Sequence, residues 1–203
     1  MVLREEGDVR GVPGEERCRA DVYGLLAALL ASPPDDGMLV SLADLTGDET
    51  VLGQALAALA ERARRTDAAA ADDEYHRLFI GLTEGELRPY ASFYLTGLLY
   101  ERPLASLRRD MEILGIVRAL DSAEPEDHIA ALMEMMQGLI LGTFGDPVPL
   151  QVQKAFFDAH VLPWASRFFA DLETATDAAL YRPVGTIGRT FMAIEREAFD
   201  LLG

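Results

Sequence analysis

Pro125-Glu126-Asp127-His128-Ile129-Ala130-Ala131-Leu132-Met133-Glu134-Met135-Met136-Gln137-Gly138-Leu139-Ile140-Leu141-Gly142 is the most regular amphipathic stretch of the chain, and its reading decides the fold class. Ile129, Leu132, Met133, Met136 and Ile140 recur at helical spacing along one side. Pro125 suits the first turn of a helix, where a missing N–H costs nothing. Glu126 and Asp127 would then place negative charge beside the exposed amides of that turn. Asp146-Pro147-Val148-Pro149 is a hard stop. A helix over about 125–142 is therefore expected. His128 falls on one stripe with Leu132, Met135, Met136 and Leu139, the position of a partly buried, hydrogen-bonded histidine. The methionines read as core.

The same period recurs outward from this segment. Val22, Leu25, Leu26, Leu29 and Leu30 form one helical face, and Ser32-Pro33-Pro34-Asp35-Asp36-Gly37 breaks it. A short helix over about 37–45 comes next, closed by Thr46-Gly47-Asp48. Val51, Leu52, Ala55, Leu56 and Leu59 mark another, ending at the basic Arg62, Arg64 and Arg65. A fourth covers 68–82, with Tyr75, Leu78, Phe79 and Leu82 on a stripe. Gly81, Gly85 and Pro89 make the stretch after it irregular. Pro103 opens a helix that Gly115 can close in a left-handed cap. Segments at about 150–160, 162–175 and 186–201 complete the set. The expectation is an all-α, single-domain bundle of about nine helices over residues 16–203, preceded by a mobile tail at 1–15.

Composition limits what such a bundle can do. The formal net charge is −16, with 34 acidic against 18 basic residues. A field of that sign repels phosphate backbones, so nucleic acid is not an expected partner, whereas a basic peptide is. Cys18 is the one cysteine, which excludes an intrachain disulfide or a thiolate metal cluster. The charged, Gly-rich start lacks an apolar signal core, and no apolar run approaches the length of a membrane span, so a cytoplasmic protein without stable membrane insertion is expected. There is no Gly-x-Ser-x-Gly elbow, no phosphate-cradling Gly-x-x-x-x-Gly-Lys loop and no Gly-x-Gly-x-x-Gly turn. No cofactor is expected. Asp73 and His76 have helical ligand spacing, and with His128 they make the alternative reading, a metal-binding protein or enzyme. A di-metal helical site, however, needs a repeated Glu-x-x-His motif that is missing here. Arg64-Arg65 and Arg108-Arg109 read as surface charge.

Two further stretches concentrate polar and aromatic groups at helix ends: Glu74-Tyr75-x-x-Leu78-Phe79-x-Gly81 leading to Pro89-Tyr90-x-Ser92-x-Tyr94, and Glu124-Pro125-x-Asp127-His128-Ile129 with Leu132 and Met135. Together with Pro103-Leu104-x-x-Leu107-Arg108, Gly115 and Phe156-Phe157-x-x-His160-x-x-Pro163-Trp164-x-x-x-Phe168, their order and spacing resemble the TorD/DmsD/NarJ family of cytoplasmic redox-enzyme chaperones over roughly residues 20–200. The resemblance implies an all-helical protein that makes no covalent chemistry. It implies binding to the N-terminal leader of a molybdenum-cofactor oxidoreductase subunit, often a twin-arginine signal. The chaperone would hold that apo subunit until its cofactor is inserted and delay its export until it is folded, acting as a monomer or a swapped homodimer.

By position, the implied peptide-binding surface uses Phe79 as apolar wall, Pro89, Tyr90 and Ser92 after the fourth helix, and Pro125, Glu126, Asp127 and His128 at the head of the Met-rich one. Tyr90 stands where some members carry Trp. A leader with arginines followed by an apolar stretch needs acidic groups beside a hydrophobic groove. Asp127 and Glu126 would pair its arginines, and Phe79, Tyr90 and Phe93 would accept its apolar part.

Overall fold

The computed structural model describes residues 12–81, 85–117 and 124–202. Among them lie ten α-helices, two π-helical turns and no strand, in keeping with the all-α expectation. Of the expected tail, residues 1–11 lie outside the described residues, and Gly14 and Glu15 already belong to the first helix. The helices gather into two compact units, one containing Ser32–Arg88 and Ala165–Leu201, the other the described residues up to Ala31 together with Pro89–Trp164.

In the first unit, α2 (Asp36–Ala43), α3 (Val51–Ala63) and α4 (Ala68–Tyr75) each begin on a side-chain cap. Asp35, Thr50 and Asp67 accept from the amides of Met38, Gly53 and Ala70 at 2.7, 3.0 and 2.8 Å. The expected single helix over 68–82 gives way at His76–Ile80 to a π-helical turn, which Gly81 ends with a positive φ of 65°. Leu82, expected on the same stripe, lies outside the described residues. α9 (Ala165–Thr174) and α10 (Tyr181–Asp200) pack on one another, and α10 also packs on α3. The buried stripe of α10 runs through Val184, Ile187, Phe191 and Phe199. The α9 backbone comes so close that a Cβ on Gly185 would lie 2.5 Å from the amide nitrogen of Glu173.

α10 starts five residues before the expected position, and the reason lies outside its own sequence. The carboxylate of Glu74, 5% exposed, accepts from the amides of Ala179, Leu180 and Tyr181 at 2.7, 3.0 and 2.9 Å. Leu180 and Tyr181 carry two of the orphan donors of the helix start, and Ala179 leads into it. Glu86 accepts from the amides of Thr176 and Asp177, in the turn before, at 2.7 and 3.2 Å.

The second unit is built on α1 (Gly14–Ala31) against α7 (Ile129–Leu141). Tyr23, Leu26, Leu29 and Leu30 face inward from α1, while Ile129, Leu132, Met133, Met136 and Ile140 do so from α7, as the pattern of that segment requires. Gly142 ends α7 in the left-handed region at φ 76°. Around this pair stand α5 (Ala91–Thr96), α6 (Arg102–Ile113), α8 (Leu150–Phe156) and a π-helical turn at Phe157–Val161. Pro103 sits in the first turn of α6, and Gly115 lies just past its end at φ 69°, both as expected. The six residues of α5 make the tenth helix, in a stretch expected to be irregular.

Candidate functional site

α7 begins at Ile129, four residues later than expected, so Pro125, Glu126 and Asp127 do not form its first turn. His128 holds the N-cap position instead, with extended backbone at φ −66° and ψ 140°, and its Nδ1 accepts from the amide of Ala130 at 3.2 Å. The competing force is a short antiparallel bridge between Tyr90 and His128. The amide of Ala91 donates to the Asp127 carbonyl at 3.0 Å, and that of Ile129 donates to the Pro89 carbonyl at 2.8 Å. Glu126 and Asp127 form a turn closed by the His128 amide donating to the Pro125 carbonyl at 3.1 Å. The extended backbone at His128 is incompatible with a helix there, so the bridge sets where α7 can start.

The bridge brings two of the sequence motifs into one place. The Tyr90 ring stands edge-on to the His128 imidazole, with centroids 5.1 Å apart, and the Tyr90 hydroxyl donates to Glu124. The Asp127 carboxylate, in a residue 1% exposed, accepts from the amide of Ser92 at 2.8 Å. The first-turn charge expected for α7 therefore serves the first turn of α5. Ser92 is wholly buried, Pro89 and Pro125 are buried, and Tyr90 is half-buried.

Glu126 is also largely enclosed, and Oε2 of its carboxylate receives both Nε and Nη2 of Arg108 at 3.1 and 2.8 Å. That hydrogen bond holds the Arg108 guanidinium above its ordinary pKa, with the charges of Glu126 and Asp127 adding to it. Burial drives the His128 pKa the other way, down to about 4, although Glu124 and Asp127 both pull it up. The ring is thus neutral near pH 7, the state that leaves Nδ1 able to accept from Ala130.

Phe79 belongs to the other unit. It is half-buried on the π-helical turn, with its ring 5.0 Å from that of Tyr75 and 5.4 Å from that of Tyr181. Of the alternative metal set, Asp73 and His76 lie in this first unit, where the exposed His76 ring turns back to the Asp72 carbonyl at 2.9 Å; His128 lies in the second. No group of three His, Cys, Asp or Glu side chains able to hold a metal ion occurs among the described residues.

Beside the bridge, the second unit carries an open cleft of about 360 Å³. Ala91, Leu95 and Thr96 of α5, Pro103, Ser106 and Leu107 of α6, and Leu132 of α7 form much of its lining, with Arg102, Asp127, Ala159 and His160 adding polar groups and a further wall. Leu95 is 44% exposed at its edge, and Leu98, Leu99 and Tyr100 beyond it also face solvent. Within the lining, His160 Nε2 lies 2.7 Å from Asp110 Oδ2, and the His160 carbonyl accepts from the Trp164 indole at 2.9 Å. An apolar cleft with a few placed polar groups is the common form of a small-molecule or peptide-segment site.

Arg108, Asp110 and His160 lie outside the set of site residues expected from sequence. Arg108-Arg109 reads as surface charge because helical spacing cannot reveal a partner 18 positions away on a turn. His160 stands in the motif order with Pro163 and Trp164, but only the fold puts it beside α6.

The family model described as the nitrate reductase delta subunit matches residues 46–170, which contain the bridge and the cleft. The chain belongs to that family. Proteins named chaperone protein TorD are among its curated relatives. The one from Photobacterium profundum is 30% identical over 112 residues, covering 51% of this chain and 52% of the relative. The one from Ferrimonas balearica is 26% identical over 176 residues, covering 78% and 80%. The chain thus matches only about half the length of the first relative. A crystal structure described as a putative redox enzyme maturation protein from Archaeoglobus fulgidus superposes with a TM-score of 0.59 over 86% of this chain and 93% of that one, at 20% identity. That likeness speaks for the fold alone. The resemblance read from motif order is therefore to the family in which the chain stands. Among the described residues no helix is long and apolar enough to cross a membrane.

Proposed function

We propose that this family member is a cytoplasmic redox-enzyme maturation chaperone. It binds the N-terminal leader of a molybdenum-cofactor oxidoreductase subunit, keeps the apo subunit competent for cofactor insertion and delays export until that subunit is folded. The relatives named TorD chaperones support the general reading. The observation that carries the finer one is the apolar cleft lined in part by Asp127, whose chain neighbour Glu126 holds an arginine, in a chain of net charge −16. An arginine followed by apolar residues matches that pairing of charge and grease.

In this reading Tyr90 and Glu126 contact the leader, while Pro89, Ser92, Pro125, Asp127 and His128 hold the bridged turn in shape. Phe79 offers an apolar surface of its own. Asp127 acts through α5, because its carboxylate is already engaged with the Ser92 amide.

Two experiments test this. Affinity capture of the tagged chain from its native cell should co-purify an apo oxidoreductase subunit; recovery of none would count against the chaperone reading. Calorimetry with that subunit's synthetic leader should show binding that weakens with salt and drops in Tyr90→Ala, Asp127→Ala and His128→Ala. Unchanged affinity in all three would move the site elsewhere.

A further inference from the structure

We propose that Arg108 is a displaceable stand-in for an arginine of the bound partner, covering the Glu126 carboxylate in the free chain and swinging into solvent when a partner guanidinium takes its place. The partner's identity rests on the leader-binding reading; the exchange itself does not.

Four features of the pair lead here. The two sides are unequally buried: the Glu126 side chain is 9% exposed, the Arg108 side chain 52%. Arg108 can therefore leave without disturbing a packed core, whereas Glu126 stays where it is. The geometry is also not the strongest available. Nε and Nη2 converge on the single oxygen Oε2, whereas the tightest guanidinium–carboxylate pairs engage both oxygens in parallel. The enclosed carboxylate needs a cation at all times, whereas the half-exposed guanidinium does not need the carboxylate, so exchange for a second guanidinium is favoured over simple opening of the pair.

The third feature is chemical. A guanidinium already occupies this carboxylate, so the pocket around Glu126 accepts that shape and charge, with Asp127 adding its own field at the same guanidinium. The fourth is continuity. Asp127 adjoins Glu126 in the chain, Leu107 adjoins Arg108, and both Asp127 and Leu107 line the apolar cleft. A segment that places an arginine on Glu126 can lay its next apolar side chains in the cleft, which suits a basic-then-apolar peptide and disfavours a purely apolar one.

Because the internal arginine competes, the apparent affinity for a cationic partner is lowered by the fraction of time the pair is closed. Removing Arg108 should therefore tighten binding. A residue that merely braces the turn would do the opposite when removed.

The test uses the full chain as native, Arg108→Ala, Arg108→Met, Glu126→Gln and the Arg108→Ala/Glu126→Gln double variant, with folding checked by circular dichroism. Met keeps the length of the side chain, so the comparison survives if the alanine variant unfolds. The first probe is N-acetylarginine amide, titrated by NMR. The folded Arg108 variants should bind it about three- to tenfold more tightly than the native chain, and the double variant should lose that gain. No gain in either folded Arg108 variant, or a gain that survives Glu126→Gln, would overturn the proposal.

The second probe is a synthetic peptide with an arginine pair followed by about ten apolar residues, the length of a signal core. Tighter binding of this peptide by the Arg108 variants supports the exchange in its leader context. If the amide gain is seen but the peptide competes with it no better than the amide alone, the exchange stands and the leader-binding reading fails.

Discussion

The carboxylate of Asp127 takes the amide hydrogen of Ser92 across 35 positions of sequence, at 2.8 Å and out of contact with solvent. This one bond joins the turn before α7 to the first turn of α5, and it turns inward a residue that the motif alone would place at a peptide's arginines. Two consequences differ in sign. Asp127→Ala leaves a buried amide without its charged acceptor and should lower stability by about 2–3 kcal/mol in urea unfolding. Ser92→Ala keeps the amide and removes a hydroxyl that is buried without a partner among the described residues, so it should be neutral or slightly stabilising. Equal losses in the two variants would contradict this assignment.

The capping histidine makes a pH prediction. His128 has a folded pKa of about 4 against the ordinary 6.5, so below 6.5 the unfolded chain takes up a proton that the folded chain refuses. This penalty is absent above pH 6.5, grows as pH falls towards 4, and levels off below that, amounting to about 3 kcal/mol over the window. His128→Asn keeps an N-cap acceptor without a titrating ring. The native chain should therefore lose more stability than the Asn variant between pH 7 and pH 4. Parallel pH profiles from chemical denaturation would refute the assignment.

Glu74 anchors the start of α10 with three charge-assisted hydrogen bonds to consecutive amides. Glu74→Ala strips all three donors of their acceptor at once and should cost roughly 3–5 kcal/mol. Glu74→Gln retains one acceptor oxygen and should cost less. Hydrogen exchange at the Ala179, Leu180 and Tyr181 amides is the direct measurement: their protection should fall in the Ala variant by more than the global loss of stability explains.

At Gly185 two opposite tendencies compete. Alanine is the better helix former by about 1 kcal/mol. Its Cβ, however, would meet the Glu173 amide nitrogen at 2.5 Å and the Phe169 carbonyl oxygen at 2.8 Å, both backbone atoms that no rotamer change can move. Overpacking of this kind costs about 1–3 kcal/mol, so Gly185→Ala should be net destabilising, with a lowered melting temperature. A gain in Tm would mean that α9 and α10 can separate at little cost.

Much of the architecture could be read locally. The stripe of α7, Pro103 in the first turn of α6 and the left-handed Gly115 all express rules that operate within a few residues. α5 could not be read that way: six residues complete less than two turns, too short for a hydrophobic period to declare itself, and its first turn is held by Asp127 from far along the chain. The early start of α10 escaped for the same reason, since Glu74 lies 105 positions before the first of the amides it caps. The delayed start of α7 escaped because Pro125 and its acidic neighbours fit a helical first turn as well as they fit the turn they make.

By itself, the sequence determined an all-helical chain, a strongly acidic composition, a Met-rich central helix and the order of motifs that marks the family. The first three come from composition and from periodicities a few turns long, the last from a resemblance in the order and spacing of short motifs along the chain. Only the tertiary structure decided what the motif residues do. Asp127 holds α5, Glu126 is held by Arg108, His128 stays neutral beside the Tyr90 ring, and an apolar cleft opens next to them. Each of those outcomes depends on a donor, a charge or a wall brought from a distant part of the chain. Burial then decides which pairings survive, because inside the protein an unmatched polar group is too costly to leave alone.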